Sequence, residues 1–360
     1  MRWREESGLW TTGPEPEPPP LTAVLEVCGA VLSWTVDDAV GQPQIVLTDL
    51  DRADWLWRVV GGPGHDALVS ALPGAAGGDV DVPDATVTPG AVAGLRRLAL
   101  GHWLRRWWPA SRRDGIADLD AALLDGELAI LTAAAHEFFD DDTFDADTAS
   151  LLRPHIGQLE SSVGHHDSRI SEIARTAVDL AEDSGVPVAV PAETTRRRDD
   201  YALAAAGPVG ERGAHGDIAR GRSSVQWSAV PPGIFDAAED TIDWAVRADD
   251  GRVSAVVITD VWGAQSPAGI AVRIRAGGVD GSGTLDPAGG ATVALFDGAA
   301  AATEDAAWGH DWSAVTVLLG ADVAETRQAR DRVRSFARRR LSAPGADAYL
   351  AEILAAEAGY

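Results

Sequence analysis

Residues Thr241 to Val261 read TIDWAVRADDGRVSAVVITDV, and the fold is read outward from them. Ile242, Trp244 and Val246 alternate with Asp243, Ala245 and Arg247, a period of two that a half-buried strand requires and a helix cannot use. Asp249-Asp250-Gly251 is a turn signal, and Val253 to Val261 supplies the returning strand. The same cadence recurs on both sides. Val225, Trp227 and Ala229 precede this pair; Ile270, Val272 and Ile274, then Val293, Leu295 and Phe296, then Val315, Val317 and Leu319 follow it, with Asp280-Gly281 as a further turn. Six or seven short strands over residues 223–320 predict an antiparallel β-sandwich. Two helices, at about 322–341 and 346–357, complete the chain as a C-terminal segment, 321–360.

Upstream the periodicity fades. Residues 183–222, with glycines at 207, 210, 213 and 216 among many charges, read as a flexible linker, since they bury too little apolar area to offset their ordering entropy. Residues 89–182 read as a helical bundle of four members. Val92, Leu95, Ala99 and Trp103 define the first and Leu124, Leu128, Leu131, Ala135 and Phe138 the second. The third runs through Leu152, Ile156, Leu159 and Val163. The fourth is capped by Asp167 or Ser168 and striped with Ile170, Ile173, Ala174, Ala177 and Val178. Residues 21–88 form a small β-rich region with runs at Ala23–Val27, Val31–Val36 and Gln44–Leu47, a helical Asp51–Val60 and an irregular 61–90. Residues 1–20 are a Pro-rich arm. The expected class is therefore α+β and multidomain: a β-rich N-terminal region, a helical middle, and a sandwich followed by two helices.

Composition restricts function. The 360 residues carry a formal charge of −25, which opposes sequence-blind binding to a polyanion and makes nucleic acid an unfavourable partner. Every basic residue is Arg, neither Lys nor Asn occurs, and 13 Trp outnumber 6 Phe and 3 Tyr; this bias points to a GC-rich coding sequence before it points to function, and salt adaptation is the competing account of the charge. A single cysteine, Cys28, excludes an intrachain disulfide and a thiolate zinc cage. The N-terminal twenty residues lack an apolar signal-peptide core, and Leu21–Val36, interrupted by Glu26, is too short to span a bilayer. A cytoplasmic protein without membrane insertion is expected.

Histidine and aspartate supply the first chemical candidates. His165-His166-Asp167 is the densest set of metal-ligating types, with His136 about thirty residues upstream. This layout resembles the separated His and adjacent His-Asp pair of metal-dependent phosphohydrolases, and the resemblance implies His136, His166 and Asp167 as ligands of a divalent metal that activates water. The sequence departs from that family after the pair, where Ser168-Arg169 stands in place of an apolar residue and Gly. The competing reading makes Asp167 a helix cap. His136-Glu137 lacks the second His of a metalloprotease motif, because Asp140 occupies that position. Asp140-Asp141-Asp142 with Asp145 and Asp147 read as a solvated acidic loop, and His215 and His310 as loop residues. No other cofactor is implied.

The second candidate is basic. Between Leu95 and Arg113 stand Arg96, Arg97, Arg105, Arg106, Arg112 and Arg113, interleaved with Trp103, Trp107 and Trp108 and without one acidic residue. Such a stretch can grip phosphates while indoles stack on bases, lie on an anionic surface, or dock on an acidic protein. Residues 114–152 answer it with eleven Asp or Glu and no Arg, so an antiparallel hairpin would neutralise much of the charge internally and bury Trp103 and Trp107. Arg327–Arg340 repeats the theme with seven Arg against Asp331. The reading that follows is a non-enzymatic adaptor or assembly component that binds another protein. A metal-dependent hydrolase centred on His136, His166 and Asp167 is the alternative, and a nucleic-acid accessory protein using the Arg/Trp helix is the third.

Overall fold

A computed structural model describes the chain except residues 39–40, 76–77, 84, 140–144, 188–215, 264 and 360, and the side chains of 137 and 145–147. The protein is α+β and multidomain, with N-terminal strands, a helical middle, and antiparallel sheets followed by helices. Two compact units account for it. The first comprises residues 1–109, 116–188 and 326–360; the second comprises 110–115 and 189–325.

The first unit opens with β1 (Arg2–Glu6) and β2 (Leu9–Thr12), a hairpin whose two-residue turn, Ser7-Gly8, takes positive φ at both positions. The arm expected over residues 1–20 therefore shortens to the Pro-rich stretch beyond this hairpin. The strand signal was present in Trp3, which is fully buried, and in the buried pair Thr11 and Thr12. β3 (Thr22–Val27), β4 (Ala30–Thr35) and β5 (Gln44–Leu47) follow where the apolar runs place them. With β6 (Val80–Asp81) they make a six-stranded antiparallel sheet in the order β3-β4-β5-β2-β1-β6.

Residues 61–90, expected to be irregular, contain a helix. After α1 (Trp57–Val60), Gly61 at φ +75 reverses the chain and α2 (Gly62–Ala71) begins with Pro63 in its first turn, where the missing N–H costs nothing. The glycines and proline that read as a stop are the start of the next helix. α3 (Ala93–Trp107) packs on β3 and on α4 (Ala121–Phe139). The single third helix is two, α5 (Asp145–Leu152) and α6 (Ile156–Ser162), because Pro154 falls between Leu152 and Ile156. α7 (Ser168–Asp183) buries Ala174, Ala177 and Ala181, the stripe read from spacing.

The described part of the linker has structure of its own. β7 (Ala219–Ser223) pairs with β8 (Ile242–Asp249), while the linker's remaining glycine-rich part, up to residue 215, lies outside the described residues. Trp227–Ala229, expected in a strand, is a 3-10 turn. β8 and β9 (Arg252–Thr259) pair through Asp250-Gly251, both at positive φ, as the sequence indicated. β10 (Ala271–Ala276) returns as β11 (Val279–Thr284) through Gly277-Gly278. Asp280-Gly281, read as a turn, is therefore mid-strand. Gly281 is required by a neighbour, since a Cβ there would stand 2.5 Å from the Ala294 carbonyl oxygen.

β12 (Gly290–Ala294), β13 (Phe296–Asp297), β14 (Ala300–Ala301), α8 (Glu304–Gly309) and β15 (Thr316–Leu319) complete the second unit. Among the described residues its strands form two antiparallel sheets, β12-β9-β8-β7 and β14-β13-β11-β10-β15. Val246, Ala255 and Val257 from one sheet and Val272, Ile274, Val317 and Leu319 from the other share a single buried core, the arrangement of a β-sandwich. α9 (Arg327–Ser342) and α10 (Leu350–Ala358) return to the first unit, where α10 packs on α4 and α9. No helix among the described residues is long and apolar enough to cross a membrane.

Candidate functional site

The Arg/Trp stretch does not stay together. Trp103 is core: its ring meets Phe336 edge-on at 5.5 Å and its indole N–H donates to the Pro20 carbonyl at 2.7 Å. Arg105 pairs with the buried carboxylate of Asp125 at 2.5 Å, and His155 Nε2 lies 3.1 Å from that carboxylate's other oxygen. Arg106 stacks on Trp107 at 4.1 Å, and Trp108 donates to the Ala117 carbonyl at 2.8 Å. Arg112 and Arg113 belong to the second unit. There Arg112 lies over the Trp262 ring at 4.8 Å, and Arg113 pairs with Asp260 at 2.5 Å and donates to the Asp240 carbonyl.

Arg96 and Arg97 do something different, because α3 faces α9. A cleft of about 470 Å³ lies between the two helices, floored by Val36, Leu100 and Phe336 and walled by Arg96, Arg97, Arg339 and Arg340, with Asp37 and Asp347 at its rim. The two arginine-rich segments, some 240 residues apart in sequence, thus supply opposite walls of one site.

Behind the walls stands a buried network. Arg97 Nη2 donates to Glu127 Oε1 at 2.5 Å and to the Ala348 carbonyl at 3.2 Å, and its guanidinium lies over the Tyr349 ring at 5.1 Å. Glu127 Oε2 accepts from the Leu350 N–H at 2.7 Å. Arg340 meets both oxygens of the fully buried Glu352, at 2.5 and 2.7 Å, and reaches Asp347 at 3.2 Å. The Tyr349 hydroxyl donates to the Arg97 carbonyl at 2.7 Å. Gly101 leaves room for it, since a Cβ there would fall 2.2 Å from that hydroxyl oxygen.

Electrostatics follow from burial. Desolvation is the largest influence on Glu127 and pushes its carboxyl above the ordinary value, against the Leu350 N–H and Arg97. Burial also drives the Tyr349 phenol upward, so it remains a neutral donor. At Arg340 burial opposes the charge, but the hydrogen bond and attraction of Glu352 outweigh it and hold the guanidinium above its usual value.

Arg97 and Arg340 are therefore fixed and neutralised. Arg96 donates to the Asp38 carbonyl at 2.7 Å, and Arg339 leans on the Phe336 ring at 6.0 Å; among the described residues neither has a carboxylate partner. The site thus offers two guanidinium forks on a rigid frame, donors only, suited to a carboxylate or phosphate. The lining contains no hydroxyl, thiol or imidazole, and Asp37 and Asp347 are both occupied by arginines.

The histidine candidates are built otherwise. Asp167 caps α7, its carboxylate accepting from the Arg169 N–H at 2.9 Å and from the Arg169 guanidinium at 2.7 Å, and Arg169 continues to Glu357 at 2.7 Å. Those hydrogen bonds to Arg169 hold the Asp167 carboxyl down at about 2. His165 Nδ1 accepts from the Asp167 N–H, and the His165 and His166 rings stack at 4.2 Å. A carboxylate already satisfied on both oxygens, beside an exposed histidine pair, does not fit a divalent ion. His136 stands in the last turn of α4, and among the described residues no group of three or more His, Cys, Asp or Glu is placed to hold a metal. His310 bonds the Ala276 carbonyl at 2.9 Å, whereas the acidic 140–142 loop and His215 lie outside the described residues.

Sequence reasoning missed the Asp125–His155–Arg105 node and the Glu127–Tyr349–Glu352 network. Glu127 and Asp125 were counted only as bulk negative charge. No local pattern distinguishes them from their exposed neighbours. No protein-family model, curated protein or solved structure matches the chain.

Proposed function

We propose that this chain is a non-enzymatic adaptor or assembly component that holds an acidic segment of a protein partner in the cleft between α3 and α9. One observation carries the reading: Arg96 and Arg339 face a common cleft and have no carboxylate partner among the described residues, while the arginines beside them are immobilised by Glu127 and Glu352. A guanidinium matches a carboxylate with two parallel N–H donors, and the apolar floor accommodates the stem of a Glu or an adjoining apolar residue. The neighbouring arginines support binding over a phosphate-gripping helix, because Arg105 and Arg113 are already engaged by Asp125 and Asp260.

The test is a fluorescence-anisotropy titration of the full chain with a labelled oligo-glutamate peptide and its oligo-glutamine counterpart. The acidic peptide should bind and the neutral one should not. Arg96→Ala/Arg339→Ala should weaken binding about tenfold or more, a loss of roughly 1.4 kcal/mol. Arg252→Ala, on an exposed strand position, should leave it unchanged. Equal binding by the double variant would overturn the proposal.

A further inference from the structure

β7 is an edge strand. It is paired with β8 on one side, and among the described residues no strand pairs with its other side. Its sequence, Ala-Arg-Gly-Arg-Ser, alternates between the two faces of the sheet. Gly221 stands opposite Trp244 on the core face, and Arg220 and Arg222 stand opposite Ala245 and Asp243 on the outer face. A groove of about 480 Å³ runs along that outer face, with Ala245, Val256 and Ile258 along its floor and Arg220, Arg222 and Arg247 among its walls. Arg222 is paired with Asp243 at 2.9 Å and Arg247 with Asp217 at 2.7 Å. Arg220 is exposed and has no such partner among the described residues.

A second feature lies on the opposite face of the same strand. Trp244 is 8% exposed, and among the described residues its indole N–H has no acceptor. A Cβ at position 221 would lie 2.5 Å from the indole's six-membered ring and 3.2 Å from Nε1. Glycine thus lets the indole lie across the edge strand, leaving a buried and unsatisfied donor there. Such a donor lacks the hydrogen bond that it makes to water when exposed, so an acceptor brought to it is favoured.

We propose that the open edge of β7 is a second docking surface, which takes an extended acidic segment of a protein partner by strand addition. Main-chain hydrogen bonds to the edge would supply affinity, and the alternating side chains would supply selection. Two acidic residues spaced i and i+2 would stand beside Arg220 and Arg222. The residue between them falls on the core face, where a hydroxyl or carbonyl oxygen can accept from Trp244. Charge also decides against a second copy of this chain. Antiparallel pairing of β7 with itself about Gly221 would set Arg220 opposite Arg222, a like-charge cross-strand pair. The charges that repel the copy select the acidic strand.

The experiment uses the full chain carrying Arg96→Ala/Arg339→Ala, so that binding at the α3–α9 cleft is weakened if that reading holds, and the Trp244 resonance reports the β7 edge separately from it. The probe is a short peptide alternating Thr and Glu. The readouts are its affinity and the indole N–H resonance of Trp244, assigned by its disappearance in Trp244→Phe. Saturable binding is expected, with a shift of that resonance, loss of binding when alternate peptide nitrogens are methylated, and about tenfold weakening by Arg220→Glu. Arg220 is exposed and makes no ion pair among the described residues, so its reversal is expected to leave the melting temperature unchanged. Absence of binding up to about 1 mM peptide, or binding indifferent to methylation or to Arg220→Glu, would overturn the proposal. So would a dimer of the chain that Arg220→Glu converts to monomer, since a second copy would then be the occupant.

Discussion

Asp167 shows how a single residue acquires its role. Its position ahead of an apolar stripe marks a helix cap, which depends on the next three residues alone and was legible for that reason. The pairing with Arg169 adds a pH signature. A carboxyl lowered from 3.8 to about 2 in the folded protein contributes stability that is fully present above the ordinary value and is lost as pH falls through the folded one. Asp167→Asn keeps the cap but removes the charge. The difference in melting temperature between wild type and variant should be constant above about pH 5 and close as pH falls toward 2. A gap that persists at pH 2 would show that the ion pair is not its source. Tyr349 and Gly101 illustrate the opposite case. Their fit requires a glycine inside a helix, at an intrinsic cost of about 1 kcal/mol relative to alanine, to admit a hydroxyl 248 positions later. Neither residue carries a local mark of the other.

The helices and strands were legible where the apolar period was long and uninterrupted, as in α4, α7 and β8–β9. They were misread where one residue type serves two purposes. Gly-Pro both ends a helix and begins one, so α2 was missed; Asp-Gly marks turns but also fits the crowded middle of β11. The expected hairpin of the Arg/Trp helix with the segment after it is seen in part: the pairs Arg97–Glu127 and Arg105–Asp125 join α3 to α4, whereas Trp107 is half-buried. What spacing does not reveal is that α3 also turns Arg96, beside Arg97, toward α9. Arg105→Glu/Arg106→Glu places a carboxylate beside Asp125, whose side chain is 5% exposed. Breaking a buried pair costs about 3 to 5 kcal/mol; Arg105 is 39% exposed, so a loss of about 2 to 3 kcal/mol is expected in thermal unfolding. Acidic-peptide binding in the cleft should survive at temperatures where the variant is folded. An unchanged melting temperature with lost binding would move the functional surface onto this part of α3.

At the scale of the molecule, local periodicity divides the chain by sequence, whereas compactness divides it by contact. The two orderings meet at Arg332, whose guanidinium holds Asp37 and Glu17 at 2.9 Å across about 300 residues, and at the Tyr349 hydroxyl, 252 residues from the carbonyl it caps. No pattern within one window of sequence predicts either bond.

The return of α9 and α10 to the first unit has a consequence in time. A chain built from its N-terminus completes every strand of the second unit before Arg332, Arg340 or Tyr349 exists, and synthesis at ~5 to 20 residues per second separates Arg97 from Tyr349 by on the order of ten seconds or more. During that interval the part of α3 that faces α9, with Leu100 and Trp103, awaits its cover. A nascent chain stalled near residue 320 should therefore resist protease across β8 to β11 while α3 remains cleavable, and equal protection of both would refute this order. The last helices close a unit whose other elements were made first, so the interval before their arrival is when the chain is most exposed to misassociation.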